Sequence, residues 1–140
     1  MEALSAAGIN VGIGIAPVIP GLSTDIPVLL KRAKEAGAEQ AFINMLRLPG
    51  NVAPYFEERL REKLPTKADR VMNRIREARG GKLNSSVFGE RMRGKGEYWA
   101  ATERLFKIHC QRLGFNKKRT HQTAAGSTFR RPTSQPSLFG

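Results

Sequence analysis

Residues 9–50 read INVGIGIAPVIPGLSTDIPVLLKRAKEAGAEQAFINMLRLPG, and this stretch decides the fold. Val11-Gly12-Ile13-Gly14-Ile15-Ala16 is too apolar for a half-exposed strand and too rich in glycine for a helix. It predicts a strand buried on both faces, with Gly12 and Gly14 marking a close backbone approach. A loop from Pro17 to Thr24 follows. Ser23, Thr24 or Asp25 is placed to cap the next helix, Pro27 fits its first turn, and Ile26, Leu29, Leu30 and Ala33 recur at helical spacing before Gly37. Gln40 to Leu46 then forms a second strand, ending in Arg47-Leu48-Pro49-Gly50. Strand, helix and strand with a crossover of this length make a βαβ unit, and such units place ligands at the carboxyl ends of their parallel strands. The two loops after the strands are therefore the first candidates for a site.

Working outward, residues 2–7 read as the end of a helix that stops at Gly8. Downstream, Pro54 opens a helix from Tyr55 to Leu64, which Pro65 and Thr66 break. A fourth helix, Lys67 to Ala78, buries Ala68, Val71, Met72, Ile75 and Ala78. Arg79 to Gly96 is a glycine-rich basic loop, and Glu97 to Leu113 is a last helix closed by Gly114. From residue 117 on, few apolar residues occur and a disordered basic tail is expected. The organisation is thus α/β: a βαβ portion (1–53), a helical extension carrying the basic loop (54–116) and a tail (117–140). Two parallel strands leave two open edges and an uncovered face. Further strands are therefore expected upstream of Met1, in a longer parent chain or a partner polypeptide.

A chain of 140 residues with 40% hydrophobic residues is enough for one domain with a core. No apolar run approaches the roughly 18 residues of a membrane span, and the N-terminus lacks a basic targeting region, so a cytoplasmic protein without membrane partners is expected. Its single cysteine, Cys110, cannot form an internal disulfide. A net charge of +12 favours a polyanionic partner, nucleic acid foremost. The charge is concentrated: nine Lys/Arg face three Asp/Glu between Lys67 and Lys95, and five face none from Lys117 onward.

Ile19 offers an apolar surface after the first strand and Gly21 lets backbone approach a flat ligand, although the same residues suit a plain Pro/Gly turn. Arg47 either clamps a carboxylate or phosphate or simply caps a strand end. Arg79, Lys82, Arg91 and Arg93 combine cations with glycine, as suits phosphate contacts, and read equally as a solvated basic loop. They lack the Gly-Lys-Ser/Thr spacing of a nucleotide P-loop. Cys110 reads as core packing, and beside His109 it has no metal-ligand spacing. Glu57, Glu58 and Glu62 alternate with Arg59, Arg61 and Lys63 on a solvated helix face.

INVGIGIAPVIPGL (Ile9 to Leu22), LRLPG (Leu46 to Gly50) and RGGKLNSSVFGERMRGKG (Arg79 to Gly96) together resemble the C-terminal half of radical S-adenosylmethionine proteins of the spore-photoproduct-lyase-like group, also called DNA repair photolyase-like. The likeness spans about Ala3 to Asn116. It implies an incomplete TIM-like (β/α) barrel holding the last two parallel strands, the fifth and sixth of six. The group's GxIxGxxE pattern falls on Pro17, Ile19, Gly21 and Thr24, so its isoleucine and second glycine match while its first glycine and glutamate do not. By resemblance, Ile19, Gly21, Met45 and Leu46 line the adenine side of S-adenosylmethionine, and Arg47, Arg79, Lys82, Arg91 and Arg93 face substrate or phosphate. The group also holds a [4Fe-4S] cluster on a CxxxCxxC motif, three thiolates leaving one iron for the cofactor. With Cys110 alone, this chain lacks those ligands. The resemblance therefore implies a C-terminal portion that is not catalytically competent alone and needs an N-terminal cluster-bearing half. The competing expectation is a small stand-alone basic protein that binds nucleic acid without catalysis.

Overall fold

The structure, a computed structural model, describes residues 1–87 and 91–117. The expected tail, from 118 onward, lies outside the described residues. In chain order the elements are α1 (Glu2–Ala6), β1 (Gly12–Val18), α2 (Ile26–Glu35), β2 (Gln40–Met45), α3 (Val52–Lys63), α4 (Pro65–Ala78) and α5 (Gly96–Leu113). Among the described residues, β1 and β2 form one two-stranded parallel sheet. The mixed α/β class and the βαβ unit expected from the sequence are therefore present.

Ile13 pairs with Ala41 and Ile15 with Ile43, and pairing resumes at Val18 with Met45. One extra residue of β1 is inserted between the last two pairs, so Ile15 and Val18, three apart, both face the core. This bulge carries β1 two residues past the expected end at Ala16. Pro17 has no N–H to give and sits inside the irregularity, where the ladder needs none.

Burial on both faces of β1 is not found. Ile15 and Val18 are buried and Ile13 half-buried, whereas Gly12, Gly14 and Ala16 are exposed. The glycines do mark a close approach, but to their own sheet: a Cβ on Gly14 would stand 2.5 Å from Cζ of Phe42, whose ring lies across it.

The core has two parts. Ile15, Val18, Ile26, Leu30, Met45, Trp99, Phe106 and Cys110 join β1, β2, α2 and α5. Leu46, Leu48, Leu60, Ala68, Val71, Met72 and Ile75 join the segment after β2 to α3 and α4. All five positions expected on the buried face of α4 are buried there. Two helix starts differ from expectation. Helix α3 begins at Val52, with Pro54 in the first turn, where the missing N–H is no loss. Pro65 ends α3 and also opens α4, so Leu64 alone joins them. On α5, Leu105 and Ile108 stay exposed, so its apolar set faces the core on one side only.

Beyond Gly114, which closes α5 in a left-handed conformation, Asn116 turns back to the sheet. Its side-chain amide accepts from the N–H of Ala41 at 2.9 Å and donates to the carbonyl of Ala41 at 2.9 Å. One side chain thus takes the place of a neighbouring strand at the outer edge of β2. No helix among the described residues is long and apolar enough to cross a membrane.

Candidate functional site

The loops after β1 and β2 meet. The N–H of Leu46 donates to the carbonyl of Val18 at 2.9 Å, extending the parallel ladder to the very end of both strands. Ile19 packs partly buried against the cluster that joins Leu46 and Leu48 to α3 and α4, leaving some of its side chain at the surface. Gly21 adopts φ +87°, a left-handed conformation that glycine takes without penalty. Its N–H donates to the Tyr98 hydroxyl at 2.9 Å. The Arg74 guanidinium lies 4.3 Å from the centroid of the Tyr98 ring, and Arg74 Nη1 would be 3.0 Å from a Cβ on Gly21. Helices α4 and α5 therefore cover the β1 loop with a stacked Arg–Tyr pair.

At the end of β2, Met45 is buried and its N–H donates to the carbonyl of Met92 at 3.0 Å. The polar backbone groups of Leu46 are likewise committed, the N–H to Val18 and the carbonyl to Arg79 Nη2 at 2.7 Å. Arg47 differs. It is half-buried, and its Nε is a buried donor without a hydrogen-bond partner.

Arg79 is the hub that ties the basic loop to this strand end. It is buried and donates from Nη1 to the carbonyls of Arg91 at 3.0 Å and Arg93 at 2.9 Å, besides its bond to Leu46. Burial first, and the positive charge of Arg47 second, lower its pKa from the ordinary arginine value. A guanidinium nonetheless stays charged at neutral pH. The Lys95 N–H donates to the carbonyl of Ala78 at 2.8 Å, pinning the loop's far end to α4.

Between these anchors lies a pocket of about 310 Å³ whose lining includes Arg79, Lys82, Asn84, Ser85, Arg93 and Lys95. Lys82 and Arg93 are exposed and make no ion pair among the described residues. Of the residues expected to face phosphate, the structure brings Arg79, Lys82 and Arg93 into one pocket. Arg91 supplies its carbonyl to Arg79, and Arg47 stands on the strand-end side. Asn84, Ser85 and Lys95 also line it. Their polar character within a glycine- and cation-rich loop was the available signal.

Cys110 is buried in the core, where burial raises its thiol pKa. Among the described residues, no three His, Cys, Asp or Glu side chains are grouped to hold a metal ion. The charged face of α3 is solvated as expected, and its Arg61 also reaches Asp69 of α4 at 2.8 Å. In comparisons with known proteins, no family model, no curated protein and no solved structure matches the chain.

Proposed function

We propose that this chain is the C-terminal portion of a radical S-adenosylmethionine protein of the spore-photoproduct-lyase-like group, and that it supplies one wall of the cofactor pocket. The observation that carries this reading is the strand-end junction. Val18 and Leu46 are joined by a hydrogen bond at the carboxyl ends of a parallel pair, Ile19 packs on the cluster that holds Leu46, and the Nε of the adjoining Arg47 is an unspent donor. The exposed side of Ile19 offers the apolar surface that a purine ring packs on, and Arg47 offers a charge-assisted bond to an acceptor. Among the described residues no strand pairs with the edge of β1 away from β2, which leaves room for the barrel strands that this reading requires.

The fit differs for the two groups implied. S-adenosylmethionine fits the junction only in part, because the backbone groups of Leu46 and the N–H of Met45 are already bonded and Arg74 covers Gly21. Binding at Gly21 requires Arg74 to leave Tyr98. The iron–sulfur cluster does not fit: one buried thiol on α5 cannot replace three converging thiolates. The cluster belongs to another polypeptide segment, and no chemical step is assigned to residues of this chain. Co-purification of tagged chain with the product of the reading frame upstream tests the proposal. A stable complex with a CxxxCxxC-bearing polypeptide is expected, and an upstream region without such a block overturns it.

A further inference from the structure

We infer that the pocket between the end of α4 and the basic loop binds a phosphate group carried on a nucleic acid strand. This does not rest on the cofactor reading, since none of Ile19, Gly21, Met45 and Arg47 lines the pocket. Lys82 and Arg93 approach from opposite ends of the loop, and both are exposed and able to turn their charge onto a ligand. Arg79 adds a positive charge that cannot move away, because three backbone carbonyls hold its guanidinium. The walls are thus preset by the bonds of Arg79 and by the Lys95 N–H on Ala78, so little ordering remains for binding to offset.

The uncharged groups suit an oxyanion as well. Ser85 Oγ accepts from the N–H of Val87 at 3.3 Å, which leaves its hydroxyl hydrogen free to donate. Asn84 Oδ1 is buried with no hydrogen-bond partner, and an amide can present either of its ends at that position. The pocket lies against a helix C-terminus, whose bare carbonyls would repel an anion. Here the carbonyls of Arg76, Glu77 and Ala78 already accept from the N–H groups of Gly81, Gly80 and Lys95.

Chemistry favours a phosphodiester chain over a free nucleotide. The charged and polar side chains that line the pocket can bond to phosphate oxygens, which every nucleotide of a strand carries. What the pocket offers is sequence-independent charge, in a chain of net charge +12.

Fluorescence anisotropy of the full chain with a labelled 20-nucleotide strand, from 50 to 200 mM salt, tests the inference. Lys82→Ala/Arg93→Ala is expected to weaken binding at least about tenfold at 100 mM salt and to reduce the salt slope by about two. Arg104→Gln/Arg112→Gln removes the same charge from exposed positions on α5 and serves as the control. Equal losses in both variants, or none in the pocket variant, overturn the site and leave only general attraction of a basic chain. If the pocket variant loses inorganic phosphate or mononucleotide binding while the oligonucleotide binds unchanged, the nucleic acid assignment falls. Both pocket side chains are exposed, so circular dichroism should show folded protein in every case.

Discussion

Replacing Arg79 with methionine removes the guanidinium while keeping an unbranched side chain of similar reach. The structure sets the size of the effect. Among the described residues, three charge-assisted bonds are lost, to Leu46 at 2.7 Å, Arg93 at 2.9 Å and Arg91 at 3.0 Å. Hydrogen bonds to charged groups contribute about 1.5–3 kcal/mol each. Part of that sum is offset because the variant no longer buries a charge, and breaking one side of a buried charged network typically costs about 3–5 kcal/mol. A loss of about 3–4 kcal/mol is therefore expected, a large fraction of the roughly 5–15 kcal/mol that holds an ordinary domain together. Arg79→Lys keeps the charge but cannot reach three carbonyls at once, so an intermediate loss is expected. Urea unfolding followed by the fluorescence of Trp99, the chain's one tryptophan, measures both variants. Trp99 is buried in the core, so its emission reports the global transition. A loss below about 1 kcal/mol for Arg79→Met would refute the reasoning, since the freed carbonyls would then have found water at little cost.

Other perturbations read further parts of the structure. At Gly94, a Cβ would stand 2.6 Å from Trp99 Cγ and 2.7 Å from Met45 Sδ, both in buried side chains. Gly94→Ala should thus destabilise by about 1–3 kcal/mol in the same urea assay. Gly14→Ala meets only the exposed end of Phe42, which can rotate aside, so a change under about 1 kcal/mol is expected there. Tyr98→Phe removes the acceptor of the Gly21 N–H and should cost about 0.5–1.5 kcal/mol, with faster amide exchange at Gly21 as its local signature. The Cys110 thiol, its pKa raised by burial, favours the fold fully below the ordinary thiol pKa of about 8.5, and that contribution is lost as pH rises through the folded pKa. Native protein should therefore react with a thiol reagent only through unfolding, and Cys110→Ala should flatten the fall of stability above about pH 8.5.

Much of the fold was legible because burial is periodic. Ile26, Leu30 and Ala33 of α2, and Ala68, Val71, Met72, Ile75 and Ala78 of α4, repeat at helical spacing and are buried where that spacing puts them. The βαβ unit followed from the same reasoning. What could not be read is carried by single residues with distant partners. Arg79 bonds to carbonyls 33, 12 and 14 residues away, and a carbonyl leaves no mark in side-chain sequence. Asn116 completes the outer edge of β2 across 75 residues in the same way. The glycines of β1 did signal close approach, but the partner was Phe42 of the neighbouring strand, so the expected second buried face was absent. Within the site, cations of the basic loop were legible as a group. That Lys82 and Arg93 share a pocket while Arg47 stands apart depends on how Arg79 folds the loop back.

The central claim is that this chain forms one wall of an S-adenosylmethionine pocket completed by a cluster-bearing partner. Equilibrium dialysis with labelled S-adenosylmethionine tests it most directly, using the chain alone, the partner half alone, and the two combined under anaerobic conditions. The account predicts retention by the combination beyond that of either part, weakened about tenfold or more by Ile19→Ala. Retention by the partner half that does not rise when this chain is added would contradict it.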